Sequence, residues 1–419
     1  MSGMEEQAMT NISRRTVLQG MGVSALATAL SGLPVLAQDR SAIRIGYAVS
    51  KTGANAAGAG ISTTPNYLLW VDDVNKAGGI TLSRLGVTLP LEVTEYDDRS
   101  SAEETVRAIE RLATQDNVDF ILPTWGTGAN LAAGPTFDRF GHPQLAGTAV
   151  TDMAPDLAKR WKHSFWMLGG GHDYATALVD LLVKQRDAGT INNKVAIASV
   201  ADGFGIDLSK AATPAFTEAG FELVYDKTYP LGTSDFAPII NEISGLGVDT
   251  FVAFSYPPDT FALTQQAVVA SFSPKVFYLG VGTAFPIYPG IAGPNHDGVM
   301  GVGGIDPDSQ ALAAYFERHT ALNGQAPDSW ASAITYASLE ILQQAIERVG
   351  DLDREAVANE IATGEFDTII GKVKLVDNQL RSLWTVGQWQ DGKFVGLAHT
   401  EREGSRDPVV PKPAWVAAD

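Results

Sequence analysis

The feature that most constrains the fold is an alternation of apolar runs of strand length with amphipathic runs of helix length. In the first part of the chain, apolar runs at 43–49 and 89–96 alternate with a helical pattern at 66–77 and with a helix opened by a capping box at 100–103. The alternation then restarts, with apolar runs at 194–200, 221–229, 249–255 and 275–281. Two consecutive β-α-β-α sets predict an α/β protein with two parallel sheets, each with helices on both faces.

The last third of the chain is predicted to complete these two units, because it has too few strand patterns for a third sheet. Helical patterns dominate residues 309–362, and strand-like runs follow them. A chain that returns to both units crosses between them about three times, which makes a hinge that bends. The predicted parts are lobe 1 (41–165 plus 298–368), lobe 2 (166–292 plus 369–400) and a C-terminal tail (401–419).

The N-terminus has the pattern of a secretory signal. Arg14 and Arg15 precede an apolar stretch at 21–37, which ends on small residues at Ala37. The paired arginines favour the twin-arginine version, with cleavage after Ala37. An ordinary secretion signal and a buried N-terminal helix are the alternatives. We therefore expect an exported, periplasmic protein.

Composition narrows the function further. The chain has a formal net charge of −18, which argues against nucleic acid as a partner because phosphates would be repelled. It has no cysteine, which removes disulfides, thiolate metal sites and thiol nucleophiles. A chain without disulfides can fold before export, as the twin-arginine route requires.

Candidate binding residues lie in the loops after the predicted strands, because ligands of open parallel sheets bind beyond the carboxyl ends of the strands. The Gly/Ala-rich loop at 50–60 lacks the spacing of a dinucleotide or P-loop motif, so we expect a flexible cleft wall and no cofactor. Trp125, Gly126 and Thr127 lead into a helix whose free N–H groups, with the Thr127 hydroxyl, can hold a carboxylate. The alternative is that Thr127 is only a helix N-cap.

Two further loops offer groups to the same ligand. After the next strand, the carbonyl of Ala149 and the hydroxyl and N–H of Thr151 can meet its head group, unless Thr151 or Asp152 caps the short helix that follows. In the second lobe, Phe204 lies between two glycines and Tyr256 precedes two prolines, which predicts exposed rings that close over an apolar group. Ordinary packing is the alternative for both rings.

Nothing in the sequence indicates catalysis or a metal site. There is no Gly-x-Ser-x-Gly motif, and the six histidines are scattered without metal-ligand spacing. Asp173 can cap the helix after the first crossing or reach the cleft, and capping is the favoured interpretation. We expect neither an enzyme nor a bound cofactor.

Several short motifs carry a family resemblance that covers nearly all of residues 41–400. They lie at residues 43–47, 72–80, 97–100, 202–205, 233–236 and 365–373. With these motifs the chain resembles the periplasmic binding proteins of the branched-chain (hydrophobic) amino acid ABC uptake systems. The resemblance implies a type I, leucine-binding-protein-like fold, in which two lobes joined by a three-segment hinge close on a ligand.

The resemblance also implies roles for individual positions. The loops at 125–127 and 149–151 would hold the ligand's carboxylate and amine, and Phe204 and Tyr256 would stack on it. The family usually has an acidic residue for the ammonium in the loop that here contains Gly282, and no carboxylate is present there. Either another acid, such as Asp202 or Asp173, compensates, or the ligand has no α-amine.

We therefore expect the periplasmic solute-binding component of an ABC importer. Its ligand would be an amino acid or another small organic acid, and Trp125 together with Phe285 favours an aromatic or bulky apolar one. A monomer with an inner-membrane permease as its partner is expected. A ligand-sensing receptor on the same fold is the main alternative, and an exported enzyme is a weaker one.

Overall fold

The computed structural model of the protein describes residues 40–416, in which strands and helices alternate as the sequence predicts. The predicted signal, with Arg14, Arg15 and the cleavage after Ala37, lies outside the described residues. The strands are β1 (Ile43–Val49), β2 (Ile80–Leu82), β3 (Val87–Leu89), β4 (Leu91–Asp97), β5 (Phe120–Leu122), β6 (Gln144–Ala146), β7 (Ser164–Trp166), β8 (Lys194–Val200), β9 (Glu222–Tyr229), β10 (Thr250–Phe254), β11 (Val276–Leu279), β12 (Met300–Val302), β13 (Phe366–Thr368), β14 (Gly371–Val373), β15 (Trp384–Gln390) and β16 (Lys393–His399).

The α-helices pack against these strands. They are α1 (Ala56–Ser62), α2 (Thr64–Lys76), α3 (Ala102–Thr114), α4 (Thr127–Phe140), α5 (Ala154–Arg160), α6 (Gly171–Asp187), α7 (Gly203–Glu218), α8 (Ala237–Ser244), α9 (Pro257–Val269), α10 (Tyr288–Ala292), α11 (Gln310–Asn323), α12 (Ala331–Val349) and α13 (Arg354–Thr363). Helix α3 begins one residue later than the capping box at 100–103 predicts, because its N-cap is Ser101, whose side chain accepts a hydrogen bond from the Glu104 N–H.

The first lobe is built on β1, which pairs in parallel with β4 on one side and β5 on the other. Strands β6 and β7 form a separate parallel pair. Helices α2, α11 and α12 contact one another, and α3 contacts α4 and β1. Six of the seven residues of β1 are buried, because helices cover both faces of the strand.

The second lobe is built on a seven-stranded sheet in the order β16-β15-β12-β11-β10-β8-β9. The five strands from β12 to β9 run parallel, and β15 and β16 join the edge antiparallel. Every residue of β10 is buried, as expected for an apolar run in the middle of a sheet covered on both faces. The predicted α/β class, with two parallel-stranded lobes, is confirmed.

The strand pairing differs from the predicted lobe boundaries at two places. Strand β14 pairs with β13, which contacts α12 of the first lobe, whereas the predicted boundary gave residues 369 onward to the second lobe. Strand β12 pairs with β11 and β15, so Met300–Val302 belongs to the second sheet, whereas the predicted boundary gave residues 298 onward to the first lobe. A three-residue strand has too little pattern to assign to a sheet from sequence. The chain therefore passes between the sheets at three connections: 167–170, 303–309 and 374–383.

The Gly/Ala-rich segment at 50–60 and the C-terminal tail are both more ordered in their packing than the sequence predicts. The Gly/Ala-rich segment predicted as a flexible loop is helical from Ala56 to Ser62, so that expectation is wrong. In the predicted tail, Trp415 donates its Nε1–H to the carbonyl of Phe272, and the Lys412 N–H bonds the carbonyl of Lys275, so the tail packs on the second lobe. Within residues 40–416, no helix combines the length and apolar character needed to cross a membrane.

Candidate functional site

The loop after β5 brings the start of α4 to the boundary between the lobes. Helix α4 begins at Thr127, after Gly126, whose φ of 92° suits a glycine. The Thr127 hydroxyl accepts a hydrogen bond from the Val150 N–H at 3.1 Å and donates to the Val150 carbonyl at 3.4 Å. Thr127 is therefore not a side-chain N-cap, and its hydroxyl instead ties the two predicted binding loops of the first lobe together.

The second of these loops, which contains Ala149 and Thr151, reaches the other lobe. Both residues are buried, and the Thr151 Oγ1 accepts a hydrogen bond from the Met153 N–H at 3.2 Å. The Thr151 hydroxyl also bonds the carboxyl of Asp207 on α7. Burial raises the pKa of Asp207, and the carboxylate of Asp152 raises it further.

Aromatic rings from both lobes meet at this boundary. The rings of Phe204 and Tyr256 are stacked, with centroids 5.4 Å apart and an interplanar angle of 20°. The Trp125 ring of the first lobe lies 5.1 Å from that of Tyr256, and the Trp330 ring lies 6.5 Å from that of Phe204. We call these four residues the aromatic cluster. The cluster gives the boundary between the lobes an apolar surface of rings from both lobes, which suits the apolar part of a ligand.

The predicted exposure of Phe204 and Tyr256 is wrong in this structure. Phe204 is 2% exposed and Tyr256 3% exposed. Phe204 lies in the first turn of α7, and the two glycines beside it allow close packing instead of exposing the ring. A Cβ on Gly203 would lie 3.3 Å from the Thr127 Cγ2 of the first lobe, and one on Gly205 would lie 2.1 Å from the Val200 carbonyl oxygen of the second. The rings are buried because the two lobes meet around them.

The hydroxyl of Tyr256 bonds one residue of its own lobe and one of the first lobe. It donates to Asp202 Oδ2 at 2.6 Å and accepts from the backbone N–H of Thr127. Burial, followed by the Asp202 carboxylate, raises the pKa of Tyr256 well above its ordinary value, so the hydroxyl stays protonated. An oxygen atom at the start of α4 is thus held by a helix N–H, and a ligand oxygen can use the same donor.

Asp202 lies at the same helix start. A Cβ built on Gly128 would lie 2.6 Å from Asp202 Oδ1, which means that only a glycine lets the carboxylate approach this closely. The Asp202 side chain is partly exposed. It is a second-lobe carboxylate at the predicted position of the ligand's head group.

Two of the predicted site residues have structural partners of their own. Asp173 Oδ2 accepts a hydrogen bond from the Gly170 N–H at 3.2 Å, which confirms that it caps α6. The Asp152 carboxylate accepts a hydrogen bond from the His172 N–H. It therefore stabilises the start of α6 and not that of α5. Gly282 has a φ of 107°, and its Cβ position lies 2.9 Å from the Pro257 Cα, so its turn packs against the start of α9, next to Tyr256.

Sequence reasoning missed Trp330. Its indole N–H donates to the Tyr174 hydroxyl at 3.1 Å, and its backbone N–H donates to Asp328 Oδ1 at 2.8 Å. The carboxylate of Asp328 therefore fixes the position of the ring at the start of α12. The sequence holds no signal for this contact, because Trp330 and Phe204 are brought together only when the chain returns to the first lobe.

The described residues contain no group of three or more His, Asp or Glu side chains that could hold a metal ion. The site instead combines a helix start, hydroxyl groups, carboxylates and apolar rings. Such a combination binds a small molecule with a polar head and an apolar body.

Comparison with known proteins found a matching family model and curated relatives. A family model described as periplasmic binding protein matches residues 42–393. The Leu/Ile/Val-binding protein homolog 7 of Brucella suis biovar 1 (strain 1330) is 23% identical over 347 residues, which are 78% of this chain and 84% of the relative.

Two solved structures are similar in fold. One is the solute binding protein of an ABC transporter from R. palustris in complex with benzoate, with a TM-score of 0.75 and 19% identity, covering 90% of this chain and 98% of that one. The other is the branched-chain amino acid transporter substrate binding protein LivJ from Streptococcus pneumoniae in complex with isoleucine. Its TM-score is 0.73 at 20% identity, and the match covers 89% of this chain and all of that one (100%).

Proposed function

The chain belongs to the periplasmic binding protein family, a family of solute-binding proteins rather than enzymes, and from this premise we propose that it captures a small organic acid between its lobes. In this proposal the protein works in the periplasm and delivers the acid to the permease of an ABC importer. Lobe closure expels water from the ligand, and the closed form is the one that the permease recognises.

The observation that carries the proposal is the meeting of the α4 start with the aromatic cluster. The Thr127 N–H already donates to an oxygen, that of Tyr256, at the boundary of the lobes. A ligand carboxylate at this position gains the same N–H and the partial positive charge of a 14-residue helix. The rings of Trp125 and Phe204 then flank its apolar body.

Two ligand classes are consistent with this arrangement. The relative named above is a Leu/Ile/Val-binding protein homologue, whereas the two similar structures hold benzoate and isoleucine. In our proposal an α-amino acid would place its ammonium against Asp202, because a bare ligand carboxylate beside that side chain would be repelled. An aromatic acid without an amine would instead require the Asp202 carboxylate to turn away.

The test is isothermal titration of the purified protein with leucine, isoleucine, phenylalanine, benzoate and 4-hydroxybenzoate. We expect at least one to bind, and Thr151→Val and Phe204→Ala to weaken it. Val269→Ala, at a position that is 86% exposed, is the matched surface control. Failure of all five compounds to bind would count against the proposal.

Asp202→Asn then separates the two ligand classes. This change keeps the size of the side chain and its acceptor oxygen but removes its charge. It should lower the affinity for an amino acid, whose ammonium loses a charged partner. The affinity for benzoate should stay equal or rise.

A further inference from the structure

A cavity lies at the hinge, next to the site described above. It has a volume of about 250 Å³. Its walls include Leu168 from the first connection, Ile305 from the second and Leu383 from the third. A molecule that fills this hinge cavity therefore contacts every segment that joins the two lobes.

Part of the wall of the hinge cavity is apolar and buried. Leu168, Leu383, Ile334 and Trp330 line it, and their exposed fractions are 0%, 2%, 8% and 7%. For comparison, an apolar cavity of about 150 Å³ is large enough to bind benzene. The hinge cavity thus has the volume and the lining for a small apolar or aromatic body.

One end of the hinge cavity carries polar groups. The Arg402 guanidinium lies 4.7 Å from the centroid of the Trp384 ring, and the His399 ring packs edge-on against the same indole at 4.8 Å. Arg402 also lies 3.8 Å from Asp306, in a pair whose side chains are 51% and 32% exposed. Such an exposed pair is weak, so the guanidinium can exchange Asp306 for another carboxylate at little cost.

His399 supplies a second donor at this end. Its Nδ1 accepts a hydrogen bond from the Glu401 N–H at 3.1 Å, so in the neutral ring the proton is on Nε2. Arg402 and His399 therefore both present donors beside an apolar wall. This combination recognises a carboxylate attached to an apolar group.

We propose that the hinge cavity is a second binding site, for a small carboxylate with an apolar or aromatic body whose carboxylate pairs with Arg402. Trp330 belongs both to the wall of this cavity and to the aromatic cluster, where its ring lies 6.5 Å from that of Phe204. An occupant thus touches the three connections and a residue of the cleft. Binding at the hinge is coupled to lobe closure, and the coupling is reciprocal.

The probe for this site is 4-fluorobenzoate, followed by fluorine NMR, which detects weak binding. The measurement uses a cleft variant, Thr151→Val with Phe204→Ala, so that binding in the cleft is suppressed. We expect the cleft variant still to bind the probe. Adding Arg402→Gln should weaken this binding about fivefold, and adding Ala311→Trp, which fills the cavity from an exposed position on α11, should abolish it.

Arg406→Gln is the matched control, because Arg406 is a nearby arginine that faces Asp308 at 3.6 Å and does not line the hinge cavity. It should leave the probe's affinity unchanged. The proposal is overturned if the cleft variant does not bind 4-fluorobenzoate, or if Ala311→Trp leaves the binding unchanged. Neither result bears on the cleft, whose own test is the loss of affinity on substitution of Thr151 in the otherwise unchanged protein.

Discussion

The contact between Gly128 and Asp202 allows lobe closure to be perturbed without disturbing either lobe. In Gly128→Ala, the new Cβ would lie 2.6 Å from Asp202 Oδ1, so the carboxylate must move before the lobes can meet as described. Moving it breaks the 2.6 Å hydrogen bond from the Tyr256 hydroxyl. The loss of a hydrogen bond to a charged group costs about 1.5–3 kcal/mol, which lowers ligand affinity about 10- to 100-fold.

The same change should not harm the ligand-free protein. Gly128 lies in the first turn of α4 without a positive φ, and alanine is favoured over glycine in helices by up to about 1 kcal/mol. The assay is isothermal titration with the tightest ligand of the panel, together with thermal unfolding of the ligand-free protein. We expect weaker binding and an unchanged or higher melting temperature.

Two controls make the result specific. Gly60→Ala, in helix α1, places a Cβ in open space and should leave affinity unchanged. On an Asp202→Ala background, Gly128→Ala should have no further effect, because the atom that it meets is gone. Full affinity of the single Gly128→Ala variant would refute the reasoning.

Three further changes test other parts of the structure. Thr151→Val should weaken binding by about 1.5–3 kcal/mol with the fold intact, because it removes the hydroxyl that the proposal gives to the ligand and that bonds Asp207 of the other lobe, and unchanged affinity in titration would mean that this loop is misplaced. Phe204→Ala should cost about 0.5–1.5 kcal/mol of affinity for an aromatic ligand through the lost ring pair, and equal affinity would make Phe204 an ordinary packing residue. Burial raises the pKa of Glu340 to about 7, and its carboxylate accepts the Ile369 N–H at 2.8 Å. Because the folded state then holds a proton that the unfolded state has lost, Glu340 should lower stability as pH rises from about 4.5 to 7, by at most about 3 kcal/mol. Glu340→Gln should remove this part of the pH dependence in urea unfolding, and an identical pH profile would contradict the assignment.

The sequence predicted the helices and strands better than it predicted which strands pair with each other. Apolar runs and helical periodicity depend on neighbours along the chain, and so the alternation that includes β1, α2, β8 and β10 was predictable. The placement of β12 depends on pairing with β11 and with the distant strand β15. A local pattern holds no information on such a pairing.

The candidate site shows the same division. The loops with Thr127 and Thr151 were predictable, because ligand loops follow strands in parallel sheets. Burial of Phe204 was not, since it depends on the first lobe meeting the second. Trp330 was also missed, because it joins the cluster only through the return of the chain to the first lobe.

The central claim is that the lobes close on a small organic acid, and a distance between the lobes tests it most directly. The chain has no cysteine of its own, so cysteines introduced at Lys159 and Glu218, both exposed, can carry spin labels on the two lobes. Pulsed electron spin resonance then measures their separation with and without the tightest ligand of the panel. We expect a broad distribution without ligand and a single, shorter distance with it, whereas a distribution that ligand leaves unchanged would contradict the account.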